Sequence, residues 1–235
     1  MNSTAESRVP ELGSSDGSDD IYEALRRYGI VKLPGRCASA DLAEIRAECS
    51  GVIESPPAES VILDYGSGAG YRLLRAQLAA SHKTTAKFFG QRWMRDVTDR
   101  FFGRDYAFNN DVIIVYDKVD TEHFARAPHY DKTPNLKFFL YLSDVTEETG
   151  PFTCFPGTQT FGKQAQVANR ERKRIPEPSE TRLLPPELVE HPVPIIGPAG
   201  TLLVIDGDII HRGAPIRRGH RLAVRSRSYL SAYAP

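Results

Sequence analysis

The feature that most limits how this chain can fold is a change of pattern near residue 106. Before it, apolar residues recur mainly at helical spacing. After it they fall in short runs: Phe108–Val119, Leu136–Leu142, Phe152–Phe155, Val193–Ile196, Thr201–Ile205, Ile209–His211 and Arg221–Leu230. Turn signals punctuate the runs at Glu148-Thr149-Gly150-Pro151, Pro156-Gly157, Gly197-Pro198 and Gly207-Asp208. Helices followed by a series of short strands predict an α+β, mainly β protein. Its core would be a jelly roll or barrel with the N-terminal helices packed on one side.

The first half supplies those helices. Residues 1–20 are rich in Ser, Asp, Glu and Gly and read as a disordered tail. Ile21–Tyr28 has a helical stripe stopped by Gly29, and Ile30–Leu33 reads as a strand. Ala40–Ile53 predicts a second helix, with Ser39 placed to cap it. Val61–Asp64 and Tyr71–Leu74 read as strands around the Gly-rich turn 66–70, and Thr85–Phe102 as helix bent near Gly90. Residues 21–235 would form one domain, with a β core over about 106–230. Gln164–His191, polar and Pro-rich, reads as a lid-like insertion over the barrel mouth.

Composition narrows the function. Lys+Arg and Asp+Glu are equal at 30 each, so no basic excess points to nucleic acid or to a membrane surface. Three widely spaced cysteines argue against a disulfide framework. No apolar stretch approaches the length of a membrane span, and no secretory signal pattern is visible. A cytoplasmic protein acting on a small molecule is the expectation; its oligomeric state is left open.

The chemistry lies in three separated elements. In extended chain, residues i and i+2 point to one side, so His129 and Asp131 of Pro128-His129-Tyr130-Asp131 can reach one metal ion. Alone, such a pair is close to chance. His211 follows in Gly200–Gly213, which reads as two strands joined by a tight Gly-Asp turn. Arg221, ten residues later, opens the last strand; a short loop over Ala214–His220 would let that strand pair with the one carrying His211. Two imidazoles and one carboxylate occupy one face of Fe(II) and leave positions open for a co-substrate and dioxygen. A guanidinium nearby suits the far carboxylate of 2-oxoglutarate.

With these residues in view, the chain from about Pro128 to Tyr229 resembles the phytanoyl-CoA dioxygenase family of Fe(II)/2-oxoglutarate oxygenases. The matching stretches are His129-x-Asp131, Leu142-Ser-Asp-Val-Thr-Glu-Glu-Thr-Gly150-Pro-Phe, Phe155-Pro-Gly-Thr-Gln159, Gly200-Thr-Leu-Leu-Val-Ile-Asp206, His211-Arg-Gly-Ala-Pro215 and Arg221. The resemblance implies a double-stranded β-helix (jelly-roll, cupin-like) core, with His129, Asp131 and His211 as iron ligands and Arg221 as co-substrate anchor. It also places Phe139 where an aromatic ring faces the co-substrate; Lys137, of the same strand parity, would hydrogen-bond it or an anionic substrate. The chain departs from the family at Gln159, where a histidine is usual, and at Gly213, where a serine is common. Retention of Asp131 disfavours the halide-binding variant. Hydroxylation is the default outcome, beside desaturation, ring closure or epimerisation.

Arg225 and Arg227 share the parity of Arg221 and would extend positive charge along the same face, favouring an acidic or phosphorylated substrate. Asp120–Ala127, with His123 and Arg126, reads as a loop beside the metal pair. Two rivals remain at this point. One is a cupin-like metalloenzyme that does not use 2-oxoglutarate; the other is a catalytically silent metal-binding module.

Overall fold

The computed structural model describes residues 8–58, 60–65, 68–103, 105–119 and 124–233. Parts of the expected tail (1–7), of the Gly-rich turn (Gly66, Ser67) and of the Asp120–Ala127 loop (120–123) lie outside the described residues. Helix α1 (Ser18–Tyr28) buries Ile21, Ala24 and Leu25 on one face, with Asp19 and Asp20 in its first turn and Arg26 and Arg27 in its last. Both charge placements complement the helix dipole. Gly29 ends it at φ 74°, donating its N–H to the Leu25 carbonyl at 2.8 Å. A side chain there would be strained, and its Cβ would press within 3.1 Å of Ile209.

Strand β1 (Ile30–Leu33) follows, then α2 (Ser39–Glu54), the hairpin β2 (Val61–Tyr65) and β3 (Gly68–Leu74), and three helices: α3 (Arg75–Ser81), α4 (Lys83–Phe89) and α5 (Arg92–Phe102). The second half contains β4 (Tyr106–Lys118), β5 (Asn135–Tyr141), β6 (Phe152–Cys154), α6 (Gln159–Glu171), β7 (Val193–Ile195), β8 (Leu202–Asp206), β9 (His211–Gly213) and β10 (His220–Leu230). They form two antiparallel sheets, one of seven strands in the order β1-β8-β5-β10-β4-β3-β2 and one of three in the order β7-β6-β9.

Strand parity divides the large sheet into two faces. Phe138, Leu140, Val112, Ile114, Val204, Leu222 and Val224 face the helices and join Ile45, Cys49, Phe88, Met94 and Val97 in the main core. Phe139, Tyr141, Leu203, Ile205 and Ala223 face the small sheet and pack on Phe152, Cys154 and Ile195. Tyr141 links the two sheets, donating its hydroxyl hydrogen to the Ile195 carbonyl (2.8 Å) and accepting from the Phe152 N–H (3.2 Å). The result is the expected jelly roll with helices on one side, its sheets facing each other without closing into a barrel. No helix among the described residues is long and apolar enough to cross a membrane.

Five readings of the sequence change. The chain is ordered well before residue 21: Leu12 N–H bonds to the Lys32 carbonyl (3.0 Å), Lys32 N–H to that of Pro10 (2.9 Å), and the Glu11 and Lys32 side chains pair. Backbone pairing along β1, invisible to composition, captures this segment. Strands β8 and β9 lie in different sheets and do not form a hairpin, and β9 pairs with β6, not β10. Helix α3 occupies residues where no helix was expected. Helix α6 replaces the start of the supposed insertion. It escapes a hydrophobic-period reading because its buried face is Gln159, Gly162, Gln166 and Asn169. The capping residue of α2 is Ala38, with no side-chain cap from Ser39.

Gly162 is where α6 meets the turn before β9: a Cβ there would lie 2.0 Å from the Asp208 carbonyl oxygen. Gly162→Ala should cost about 3 kcal/mol, the upper end for overpacking, and lower the melting temperature by about 6–12 °C in a domain of this size. Gly51, exposed in α2 with nothing within 4 Å of a Cβ, is the control. Gly51→Ala should raise stability by up to about 1 kcal/mol. Thermal unfolding of the pair checks both; equal effects would mean that α6 is not pinned at residue 162.

Candidate metal centre

His129 is brought to His211 by the main chain. The two residues exchange backbone hydrogen bonds, His129 N–H to the His211 carbonyl (3.0 Å) and His211 N–H to the His129 carbonyl (2.8 Å), which adds residue 129 to the edge of the small sheet. Tyr130 then turns away to pack on Phe161, ring centroids 6.1 Å apart. Asp131 returns to the side of His129, its N–H held by the Gly207 carbonyl (2.9 Å) and its own carbonyl by the Gln166 amide (2.6 Å). Gly207 is a requirement here, since a Cβ at that position would lie 2.6 Å from Asp131 Oδ2 and 2.5 Å from Asn135 Nδ2.

One ligand atom from each of His129, Asp131 and His211 can be chosen so that all lie within 4.8 Å of one another. Each imidazole has Nδ1 against a main-chain carbonyl, His129 on Ala127 (2.8 Å) and His211 on Ile209 (2.8 Å). A carbonyl only accepts, so Nδ1 carries the hydrogen and Nε2 keeps its lone pair for a metal. Phe152 stacks on the His211 ring at 5.2 Å and 21°.

Burial is the largest influence on both imidazoles and holds them below the ordinary histidine range, with Asp131 opposing it. For the Asp131 carboxyl, burial alone would raise the pKa. The Lys137 ammonium foremost, helped by the two imidazoles, outweighs it and holds the group well below the usual carboxylate range. Two neutral imidazoles and one carboxylate are the donor set of a facial triad, and they fit a divalent cation such as iron(II). A second observation agrees with that fit. The Lys137 ammonium, pushed down to about 8 by burial against the pull of Asp131, sits 2.6 Å from Asp131 Oδ2 and 3.1 Å from His211 Nε2. Asp131 thus already holds one cation beside the imidazoles, against the cost of burying it.

The cavity beside the triad is also lined by Lys137, Phe139, Phe152, Gly213, Arg221 and Arg225, so the structure brings Lys137, Phe139 and Arg221 together with the triad; Arg227 lines an adjoining cavity, Arg126 lines neither, and His123 lies outside the described residues. Lys137 is buried among the site residues and is not a surface lysine. Arg221 reaches the cavity by a different route from the one expected. Its strand β10 lies between β4 and β5 in the large sheet, and it faces His211 from across the jelly roll. Its guanidinium donates to the Gly150 carbonyl and pairs with Asp117, its register partner on β4. Gly213 leaves room beside it, since a Cβ there would stand 3.5 Å from Arg221 Nη2.

Sequence reasoning missed Asp117 and Asn135. Asp117 shares an inward parity with Arg221 only because of a particular β4–β10 register, which no local pattern reveals. Asn135 donates to Asp131 Oδ2 (2.8 Å) and to the Thr133 carbonyl (2.8 Å), and its position four residues beyond Asp131 was the available hint. The departure at Gln159 has a structural reason. Its amide nitrogen serves the carbonyls of both Arg26 and Arg27 (3.1 Å each), whereas a neutral imidazole has one N–H to give.

Comparison with the curated proteins finds no match. Comparison with solved structures finds the fold repeatedly. The non-heme alpha ketoglutarate dependent epimerase SnoN from nogalamycin biosynthesis is 20% identical, with TM-score 0.65 over 90% of this chain and 80% of its own. A complex of SnoN with Fe3+, alpha ketoglutarate and nogalamycin RO aligns equally well, at 20% identity and TM-score 0.65 over 90% and 83% of the two chains. The non-heme alpha ketoglutarate dependent carbocyclase SnoK, from the same biosynthesis, is 16% identical with TM-score 0.65 over 94% and 87%. At these identities the likeness establishes the fold. The family profile described as phytanoyl-CoA dioxygenase (PhyH) matches residues 25–221, most of the sequence. The chain belongs to the phytanoyl-CoA dioxygenase family.

Proposed function

We propose that residues 21–235 form one catalytic domain, an Fe(II)- and 2-oxoglutarate-dependent oxygenase that hydroxylates a small molecule. The observation that carries this reading is the convergence of His129, Asp131 and His211, each imidazole with its Nδ1 held by a main-chain carbonyl, in one cavity with Arg221. These three side chains would hold iron(II). Bound there with 2-oxoglutarate and dioxygen, iron supplies the oxidising chemistry: the co-substrate leaves as succinate and carbon dioxide, and one oxygen atom enters a substrate C–H bond. Asp131 stays ionised and oriented by Asn135 and Lys137. Phe139 and Phe152 wall the cavity against water, and Arg221 offers a planar fork to the far carboxylate of the co-substrate. The 164–191 stretch flanks the opening through Ile175 and Thr181. SnoN and SnoK are an epimerase and a carbocyclase, so epimerisation and ring closure are the nearest alternatives to hydroxylation on this fold.

One observation favours a second reading, a metalloenzyme that does not use 2-oxoglutarate: the Arg221 charge is already matched by Asp117. Anaerobic titration of the protein with Fe(II) and 2-oxoglutarate separates the two. The oxygenase should develop a visible metal-to-ligand charge-transfer band that Asp131→Ala abolishes. No band with folded, iron-loaded protein would overturn the oxygenase. Arg221→Leu combined with Asp117→Leu removes the pair without stranding a buried charge. It should raise the 2-oxoglutarate concentration needed by about ten- to a hundred-fold, the equivalent of a charged hydrogen bond; an unchanged requirement would remove Arg221 from co-substrate binding.

Lys137 gives a separate test. Its ammonium repels a cation at the triad but attracts an anion laid against that cation. Lys137→Met should tighten Co(II) binding about ten-fold while weakening 2-oxoglutarate binding to the Co(II) protein by a similar factor, both read from the visible spectrum. Co(II) and 2-oxoglutarate affinities moving in the same direction would refute that role.

A further inference from the structure

Beyond the metal centre, the inner face of the large sheet carries more positive charge than the proposed chemistry uses. Arg225 and Arg227 follow Arg221 at two-residue intervals along β10, separated from it by Ala223, and Arg72 lies on the same face of β3. Arg72 and Arg227 share one carboxylate, buried Asp111, each at 2.7 Å, and the Tyr229 hydroxyl donates to it as well (3.3 Å). Arg225 stands between these groups and Arg221 with apolar register partners on both sides, Ile113 on β4 and Phe139 on β5. Its guanidinium makes no hydrogen bond or ion pair with any described residue.

Arg225 also has a particular place. It lines the inner cavity with the triad and Arg221, and it lines the adjoining cavity at the mouth with Arg72, Lys132 and Arg227. His129 and Asp131 border both cavities, whereas Arg221 borders only the inner one. Asp131, the one acid among the described residues on the mouth cavity wall, is engaged by Lys137. An unmatched guanidinium in a half-buried wall, with more cations than acids among the described residues around it, attracts an anion strongly because little water screens it.

Resting on the functional reading above, we propose that Arg225 is the specificity residue of the site, and that it receives a carboxylate or phosphate of the primary substrate. The substrate class is then a small organic acid or phosphate ester whose anionic group sits at the mouth side of the triad. The planar fork of Arg225 binds two oxygens of that group, and the oxidised C–H lies on the metal side of it. The same anionic chemistry could come from the far carboxylate of 2-oxoglutarate, and the experiment separates the two sources.

The test compares wild type with Arg225→Gln, which breaks no hydrogen bond or ion pair with the described residues and should melt near the wild-type temperature. Protein loaded with Co(II) and saturating 2-oxoglutarate is titrated with inorganic phosphate, and binding is followed by the cobalt spectrum and by calorimetry. Phosphate should bind wild type at least ten-fold more tightly than Arg225→Gln, while 2-oxoglutarate affinity stays within two-fold between them. Equal phosphate affinity in the two proteins overturns the proposal. So does a ten-fold loss of 2-oxoglutarate affinity in Arg225→Gln, which would assign Arg225 to the co-substrate. If wild type takes up neither Co(II) nor 2-oxoglutarate, the functional reading falls. The phosphate titration of metal-free protein then decides on Arg225 by itself.

Discussion

The register of β4, β10 and β5 is the constraint on which everything else rests. With Arg221 opposite Asp117, and Arg225 opposite both Ile113 and Phe139, every second residue of three neighbouring strands faces the small sheet. The residues between them, Leu222, Val224, Ser226, Ile114, Phe138 and Leu140, face the helices. A slip by one residue would send the arginines into the helix-side core and the aliphatic side chains into the cavity. The large apolar core on the helix side therefore does more than stabilise the protein. It forbids the slip, and so holds a row of charges on the other face.

Those charges are tolerable because all of them but Arg225 have a carboxylate beside them. Asp117 takes Arg221, Asp131 takes Lys137, and Asp111 is divided between Arg72 and Arg227. Buried ion pairs of this kind add little net stability, because desolvation offsets most of the attraction; leaving one partner alone is what costs. The interior is thus built as a balanced polar seam between two apolar layers, with its imbalance concentrated at the opening.

Much of this was legible in the sequence, for reasons that local chemistry explains. Ile30–Leu33 came out with its boundaries intact because Gly29 and Pro34-Gly35 frame it. His129-x-Asp131 was readable because alternation in extended chain is a local property, and His211 and Arg221 because ordered family motifs flank them. Non-local pairing was not readable. The crossing between sheets that puts β9 beside β6, and Arg221 opposite Asp117, leaves no mark on either segment alone. Helix α6 stayed hidden for another reason. Its inward side makes hydrogen bonds instead of apolar contacts, so the usual periodic signal is missing.

That polar side of α6 has a consequence for how the sequence can drift. Gln159 binds the carbonyls at the end of α1, and Gln166 binds the carbonyl of Asp131, so one rigid rod runs from the first helix to a candidate ligand. All the acceptors are main-chain oxygens, which every amino acid possesses. Positions 26, 27 and the loop they face are therefore free to vary without loosening the rod. The two glutamines are not, and over evolutionary time they should change only together with the distance they span.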